Sequence, residues 1–228
     1  MMDTQIFHSW IVAPYQRDRA QVLQSIHPVS EVSYTINCHR NLRGPYTGTG
    51  ELLRKLVPVV YQQFPDIVIA HATEIVAVAP ELKALVVSLH ETLTSSAVGG
   101  ERTIYYSHLR TQRLAHAIVD FLLEYGALKQ LDHDVIVFDH VDMADELDRE
   151  FLSVLLRRTD PQQFALTVCT ASATLPEPLL SVLTANARLI QPQPVHVQQH
   201  TLEEWNIPND WEQWFLQRTD GWQGVWEP

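Results

Sequence analysis

Short apolar runs alternate with amphipathic stretches along most of this chain. The apolar runs lie at 10–14, 32–40, 135–138, 163–172 and 189–202. Apolar residues recur every three or four positions, as in amphipathic helices, at 16–27, 51–64, 79–96, 102–126, 146–158 and 176–187. The run at 135–138 (VIVF) is apolar without a break, which is typical of a strand buried on both faces of a parallel sheet. The alternation predicts an α/β fold with a doubly wound parallel sheet.

Proline and glycine modify several of these predicted elements. We expect Pro58 to kink or break the helix at 51–64, and Gly126 to cap the helix at 102–126. VGGE at 98–101 predicts a flexible break, and prolines interrupt the last strand. The segment DIVIAHA at 66–72 fits either a strand or a helix.

The tail at 203–228 differs from the rest because it holds five of the six tryptophans. We therefore expect an α/β domain over 1–202 and a short, Trp-rich helical segment over 203–228. Trp211 and Phe215 fit the packed face of an amphipathic helix. Trp222 and Trp226 are the predicted interface residues, because aromatic side chains often anchor protein–protein contacts.

Composition narrows the class of protein. The chain has 228 residues, of which 46% are hydrophobic and 19% are charged, which fits one folded domain and argues against a disordered or fibrous protein. The formal net charge of −11 argues against nucleic-acid binding through phosphate contacts. Cys38 and Cys169 lie in apolar stretches and are expected to be buried thiols.

Targeting signals are missing from the sequence pattern. The first ten residues lack the basic flank of a signal peptide. No apolar run reaches the roughly 18–20 residues that span a bilayer. We expect a cytoplasmic protein that does not associate with membranes.

Asp139 directly follows the apolar strand at 135–138. In an open parallel sheet, ligands bind outside the carboxyl ends of the strands. An aspartate at that place is typical of a Walker B motif, in which its carboxylate holds the Mg²⁺ of a bound nucleotide. The alternative is that Asp139, Asp142 and Asp145 only cap the following helix and solvate its loop.

The segment DVIVFDHVDMADELDREFLSVLLRRTDPQQFALTVCTAS, at 134–172, resembles the Walker B to sensor-1 region of the STAND NTPases, signal-transduction relatives of the AAA+ ATPases. Ala144 and Asp145 match the family's loop signature, and the paired leucines and arginines at 155–158 match its helix. The resemblance implies a P-loop NTPase-like fold with three layers, helix–sheet–helix (αβα). It also implies that Asp139 binds Mg²⁺, that Thr170 is the sensor, and that ATP or ADP is the ligand. His140 stands where active members carry a second acid. It is the candidate catalytic base, and its presence argues against hydrolysis.

The glycine loop NLRGPYTGTGELL, at 41–53, is the candidate phosphate loop. We expect it to follow the first core strand and open a helix. A working loop reads G-x-x-x-x-G-K-[ST], but here Glu51 stands at the lysine and Leu52 at the hydroxyl. Replacing the ammonium by a carboxylate turns its attraction to a phosphate into a repulsion. The Coulomb energy reversed in this way is about 4 kcal/mol at about 4 Å, for an effective dielectric constant of about 20. The candidate nucleotide-binding residues are Arg43, Gly44, Gly48, Thr49, Gly50 and Thr170, with Arg40 as another source of positive charge.

The same loop has a simpler interpretation without a ligand. Its glycines would make a turn, with Thr49 or Gly50 capping a helix and Glu51 in the first helical turn. Apart from the Asp139, His140 and Asp142 set, the eleven histidines are too scattered to predict a metal site.

Three functions remain open on sequence alone. The preferred one is a degenerate STAND-like domain with little or no ATP hydrolysis, acting as a regulatory or scaffolding protein with protein partners or with itself. The second is an active Mg²⁺-dependent ATPase with a non-standard phosphate loop. The third is an oligomerising adaptor that uses no nucleotide. ATP or ADP with Mg²⁺ is the expected cofactor of the first two, and the third needs none.

Overall fold

The computed structural model describes residues 7–27, 32–86, 107–129 and 134–192. These lie within the first of the two units into which the chain divides, Met1–Pro192. The predicted break at 98–101 and the predicted tail at 203–228, with Trp222 and Trp226, fall outside the described residues.

The described residues form one sheet of five parallel strands. The strands are β1 (His8–Val12), β2 (Val32–Asn37), β3 (Asp134–Asp139), β4 (Phe164–Thr170) and β5 (Ala187–Ile190). Their order across the sheet is β2-β3-β4-β1-β5, so that β3, β4 and β1 are interior strands and β2 and β5 are edge strands. The prediction of a doubly wound parallel sheet is therefore confirmed.

Helices cover both faces of this sheet. Among those described, none is both long and apolar enough to cross a bilayer. Two 3-10 turns, Pro80–Ala84 and Val141–Met143, accompany the helices. The helices are α1 (Gln16–Ile26), α2 (Thr47–Gln63), α3 (Pro65–Ala70), α4 (Ala72–Val78), α5 (Ser107–Lys129), α6 (Glu146–Arg158) and α7 (Leu179–Asn186).

Successive side chains of β3 enter two different cores, because strand side chains alternate between faces. Ile136 and Phe138 join the larger core, which is completed by α2, α5 and α6. Val135 and Val137 join the smaller core, against which α1 packs. The same alternation places the carboxylate of Asp139 on the α1 face.

Two sequence predictions about helices are wrong. Helix α2 begins at Thr47 and not at 51, so it includes the glycines of the candidate phosphate loop, and its N-cap is Tyr46. Pro58 does not break this helix, since buried apolar residues on either side hold it against the core. Helix α5 continues past Gly126 to Lys129, because Tyr125 and its neighbours are packed inside the protein.

Two further segments show where the sequence pattern was ambiguous or misleading. The segment at 66–72 is helical, in α3 and the start of α4. The amphipathic helix predicted at 79–96 is wrong for its described part, 79–86, which forms the 3-10 turn Pro80–Ala84. Cys38 and Cys169 are free and buried, as expected.

Candidate functional site

The candidate site lies where the strand order changes, between β1 and β4. Doubly wound sheets bind ligands at such a point, outside the carboxyl ends of the strands. Asp139 ends β3, and α1 starts a few residues after β1 ends. This connection brings Arg19 of α1 against Asp139, 120 positions away in sequence.

All hydrogen-bond donors of Arg19 have acceptors. Its Nε donates to Asp139 Oδ1 at 2.8 Å, and one terminal nitrogen donates to the carbonyl oxygens of Ala13 and Pro14 at 3.0 and 3.4 Å. The other terminal nitrogen donates to Asp139 Oδ2 at 3.4 Å and to His140 Nε2 at 3.2 Å. A guanidinium carries five N–H groups, and five acceptors surround it. Arg19 is only 4% exposed, so this is an ion pair largely removed from water.

His140 is oriented by this arginine. Its backbone is left-handed (φ 57°), which turns the chain back so that its own N–H donates to Asp139 Oδ1 at 2.8 Å. Because Arg19 can only donate, His140 Nε2 accepts, and the neutral ring carries its proton on Nδ1. Nδ1 lies 3.3 Å from Asp139 Oδ2, but it is buried and makes no hydrogen bond. The basic nitrogen of the candidate base is thus occupied by Arg19.

Thr170 lies on the opposite face of the sheet from Asp139. It is fully buried, and its hydroxyl oxygen accepts a hydrogen bond of 3.0 Å from Trp10 Nε1. Trp10 belongs to the larger core, whereas the Asp139 carboxylate faces α1. The predicted sensor and the predicted metal ligand therefore do not converge.

The glycine loop already holds an anion, the carboxylate of Asp148. Gly48 N donates to Asp148 Oδ2 at 2.7 Å, and Thr49 donates to Asp148 Oδ1 from its amide at 2.8 Å and from its hydroxyl at 2.6 Å. Gly50 N is used by the carbonyl of Tyr46, inside the helix. Burial and the nearby carboxylate of Asp145 raise the pKa of Asp148 to about 6, against the three donors, which lower it.

Glu51, at the position of the phosphate-loop lysine, strengthens the connection between β2 and α2. Its Oε2 accepts from Asn37 N at 3.1 Å, and its Oε1 lies 2.7 Å from Lys55 Nζ, one turn further along the helix. The residue thus serves as a structural anchor rather than as part of a phosphate cradle.

Arg43 and Gly44 lie at the surface end of the loop. Arg43 Nη1 is 3.8 Å from Glu81 Oε1, and Arg54 Nη1 is 2.6 Å from the same oxygen. The Arg43 side chain is 62% exposed. Gly44 has φ 86°, which favours glycine and makes the turn before α2.

The loop follows the strand predicted at 32–40, but that strand is not the first core strand. It is β2, at the edge of the sheet, whereas the first strand is β1 in the interior, which is followed by α1. The α2 N-terminus belongs to the larger core and Asp139 to the α1 face. The expectation that the glycine loop follows the first core strand is therefore wrong.

The two other acids of the loop after β3 have structural roles. Asp145 is the N-cap of α6 and accepts from the amides of Leu147 and Asp148 at 2.9 and 3.0 Å. Asp142 Oδ1 accepts from Ala171 N at 3.2 Å and ties the loop to the end of β4. The capping interpretation is thus confirmed for Asp145, while Asp139 is engaged by Arg19 instead.

The residues present do not fit a magnesium nucleotide. The carboxylate suited to Mg²⁺ is neutralised by a guanidinium, and the amides suited to phosphate are taken by Asp148. Within the described ranges, no group of three or more His, Cys, Asp or Glu side chains is placed to hold a metal ion. Sequence reasoning missed Arg19, Trp10 and Asp148, although a basic RDR sequence just after a strand and an acid in the first turn of α6 were visible signals.

Comparison with models of known protein families and with characterised proteins gave no match to this chain.

Proposed function

We propose that this chain is a STAND-like α/β domain that does not hydrolyse nucleotide and that acts as a regulatory or scaffolding protein. The predicted nucleotide site has two half-sites, the metal ligand Asp139 and the glycine loop. The observation that carries the proposal is that the protein's own side chains occupy both of them. Arg19 pairs with Asp139 on one face of the sheet, and Asp148 binds the N-terminus of α2 on the other.

The order of elements around Asp139 supports the family resemblance within this proposal. A buried strand ending in Asp139 is followed by a short turn, by α6 with its paired leucines and arginines, and by a second buried strand paired in parallel with the first. This is the arrangement that the STAND-like segment implies. The departures lie in the side chains that would perform the chemistry.

Binding and phosphate release test the catalytic part of the proposal. The full chain is titrated calorimetrically with ATP and Mg²⁺, and free phosphate is measured in parallel, with Asp139→Asn as the matched variant. We expect no turnover in either protein. Sub-micromolar binding with turnover that Asp139→Asn abolishes would support an active ATPase and reject the proposal.

The scaffolding part requires self-association or a partner, and Trp222 and Trp226 are the residues predicted for it. Light scattering of the full chain and of a Trp222→Ser/Trp226→Ser variant tests for self-association. If the two tryptophans form a contact between copies, the variant has the smaller mass. An unchanged oligomeric mass would reject them as a self-association interface.

A further inference from the structure

We infer that Arg19 is a built-in cation that occupies a latent divalent-metal site at Asp139 and thereby fastens α1 to the end of β3. The inference deepens the proposed function and rests on it for the view that this site has no catalytic metal. It adds that the Arg19 side chain is what excludes a metal ion, and that removing this side chain would allow a metal ion to bind.

The five acceptors around Arg19 are of the chemical types that bind metal ions. They comprise both carboxylate oxygens of Asp139, the carbonyl oxygens of Ala13 and Pro14, and Nε2 of His140. They lie 2.8–3.4 Å from three different nitrogens of the guanidinium, and Asp139 Oδ2 and His140 Nε2 share one of them. Carboxylate and carbonyl oxygens suit Mg²⁺ and Mn²⁺, and imidazole suits transition metals. With the guanidinium removed, this mixed set favours Mn²⁺ over Mg²⁺.

The guanidinium is held too firmly for a metal ion to displace it. Its fork reaches both oxygens of Asp139, while the carbonyls of Ala13 and Pro14 hold its other edge. Arg19 is 4% exposed and Asp139 is 17% exposed, so displacement would strand a buried charge.

The consequence for the fold is a link between two elements that the sheet order alone does not join. Helix α1 follows β1, and β4 separates β1 from β3. The Arg19–Asp139 pair spans that gap at the carboxyl edge of the sheet. Asp139 therefore has a structural role at the end of β3 that needs no nucleotide.

Mn²⁺ binding in the absence of nucleotide tests the inference. Calorimetry and electron paramagnetic resonance are recorded for the wild type, Arg19→Met, and Arg19→Met/Asp139→Asn, with Arg17→Met as the control on the same helix. Methionine keeps the apolar stem and removes the charge. We expect Arg19→Met to gain a one-to-one site at least about tenfold tighter than any site in the wild type. The double variant and Arg17→Met should match the wild type.

Two outcomes would overturn the inference. One is a wild-type chain that binds one Mn²⁺ ion and loses it in Asp139→Asn. The other is an Arg19→Met protein that folds, by circular dichroism, without gaining a site. If Arg19→Met does not fold, the NMR signal of the wild-type Arg19 Nε–H is followed while Mn²⁺ is added. A signal that Mn²⁺ does not broaden supports the inference that Arg19 excludes the metal, and selective paramagnetic broadening of that signal rejects it.

Failure of this inference is distinguishable from failure of the proposed function. The Mn²⁺ experiment contains no nucleotide, and phosphate release is measured separately. If the wild type binds Mn²⁺ at Asp139 but does not hydrolyse ATP, only the inference about Arg19 is rejected. If the protein hydrolyses ATP and Asp139→Asn does not change the rate, only the proposed function is rejected.

Discussion

The carboxylate of Asp148, in α6, receives the backbone N–H of Gly48, in α2, at 2.7 Å. This contact caps α2 from a helix 100 residues further along the chain. It satisfies amides that no residue within α2 can reach, and it places a negative charge at the positive end of the helix dipole. The start of α2 therefore depends on tertiary contact with α6.

Removal of this carboxylate should destabilise the protein. Asp148→Ala leaves the amides of Gly48 and Thr49 and the Thr49 hydroxyl without their acceptor in a buried place. We expect a loss of about 2–3 kcal/mol in the free energy of unfolding, measured by urea denaturation. Glu146→Ala, an exposed acid in the same helical turn, should cost about 0.5 kcal/mol or less. Equal effects of the two substitutions would contradict this role of Asp148.

The protonation of Asp148 gives stability a pH dependence. Burial and the neighbouring Asp145 raise its folded-state pKa from 3.8 to about 6, so the folded state binds the proton more tightly than the unfolded state. This contribution to stability is present below about pH 4 and is lost as the pH rises through about 6. The difference in unfolding free energy between the wild type and Asp148→Asn, measured from pH 4 to 7, isolates it. A carboxyl titration midpoint below 4, followed by NMR, would mean that the three donors outweigh burial.

His8 should act in the opposite direction. It is buried, and since Leu166 N donates to its Nδ1 at 3.1 Å, its Nε2–H donates to the carbonyl of Thr159 at 3.1 Å. Burial lowers its pKa below 6.5, because the folded state holds the neutral ring. Stability from this group is therefore lost as the pH falls from 6.5 towards the folded-state pKa.

His8→Asn tests that effect. The variant should lose this part of the pH dependence and about 1–3 kcal/mol of stability at neutral pH, because two hydrogen-bonding partners lose a well-placed ring. Thermal unfolding of both proteins between pH 5 and 8 provides the comparison. Parallel curves for the wild type and the variant would exclude His8 as the titrating group.

Gly48 is required because of close packing, and not for left-handed backbone. A Cβ at this position would lie 2.6 Å from Cys38 Sγ. Gly48→Ala should therefore cost about 1–3 kcal/mol through overpacking, measured by urea denaturation, and Cys38→Ala in the same protein should recover much of it. At Gly50 the nearest atom to a new Cβ is Nη1 of Arg54, at 3.1 Å on a flexible side chain. Gly50→Ala should be nearly neutral, and a cost equal to that of Gly48→Ala would reject the packing explanation.

Local patterns predicted the elements whose signals lie within them. The buried run at 135–138 and the acid-rich start of the next helix indicated β3 and α6, which the structure places at Asp134–Asp139 and Glu146–Arg158. Asp145 caps α6 from within its own loop, so its role was also visible in sequence. In each case the partners are neighbours in the chain.

The contacts that sequence could not predict join distant segments. Arg19 reaches Asp139 across 120 positions, and Asp148 reaches Gly48 across 100. The glycines at 48 and 50 look like a turn before a helix, but the cap supplied by Asp148 allows the helix to begin at Thr47. Asp139 resembles a metal ligand in sequence because its cationic partner lies in a different helix.

The most direct test of the central claim follows the Arg19 Nε–H by NMR while the wild-type chain is titrated with ATP and Mg²⁺, with phosphate release recorded on the same sample. If the protein's own side chains occupy both half-sites, the Arg19 signal stays in place and no phosphate accumulates. A shift of that signal at stoichiometric nucleotide, accompanied by phosphate release that Asp139→Asn abolishes, would contradict the account.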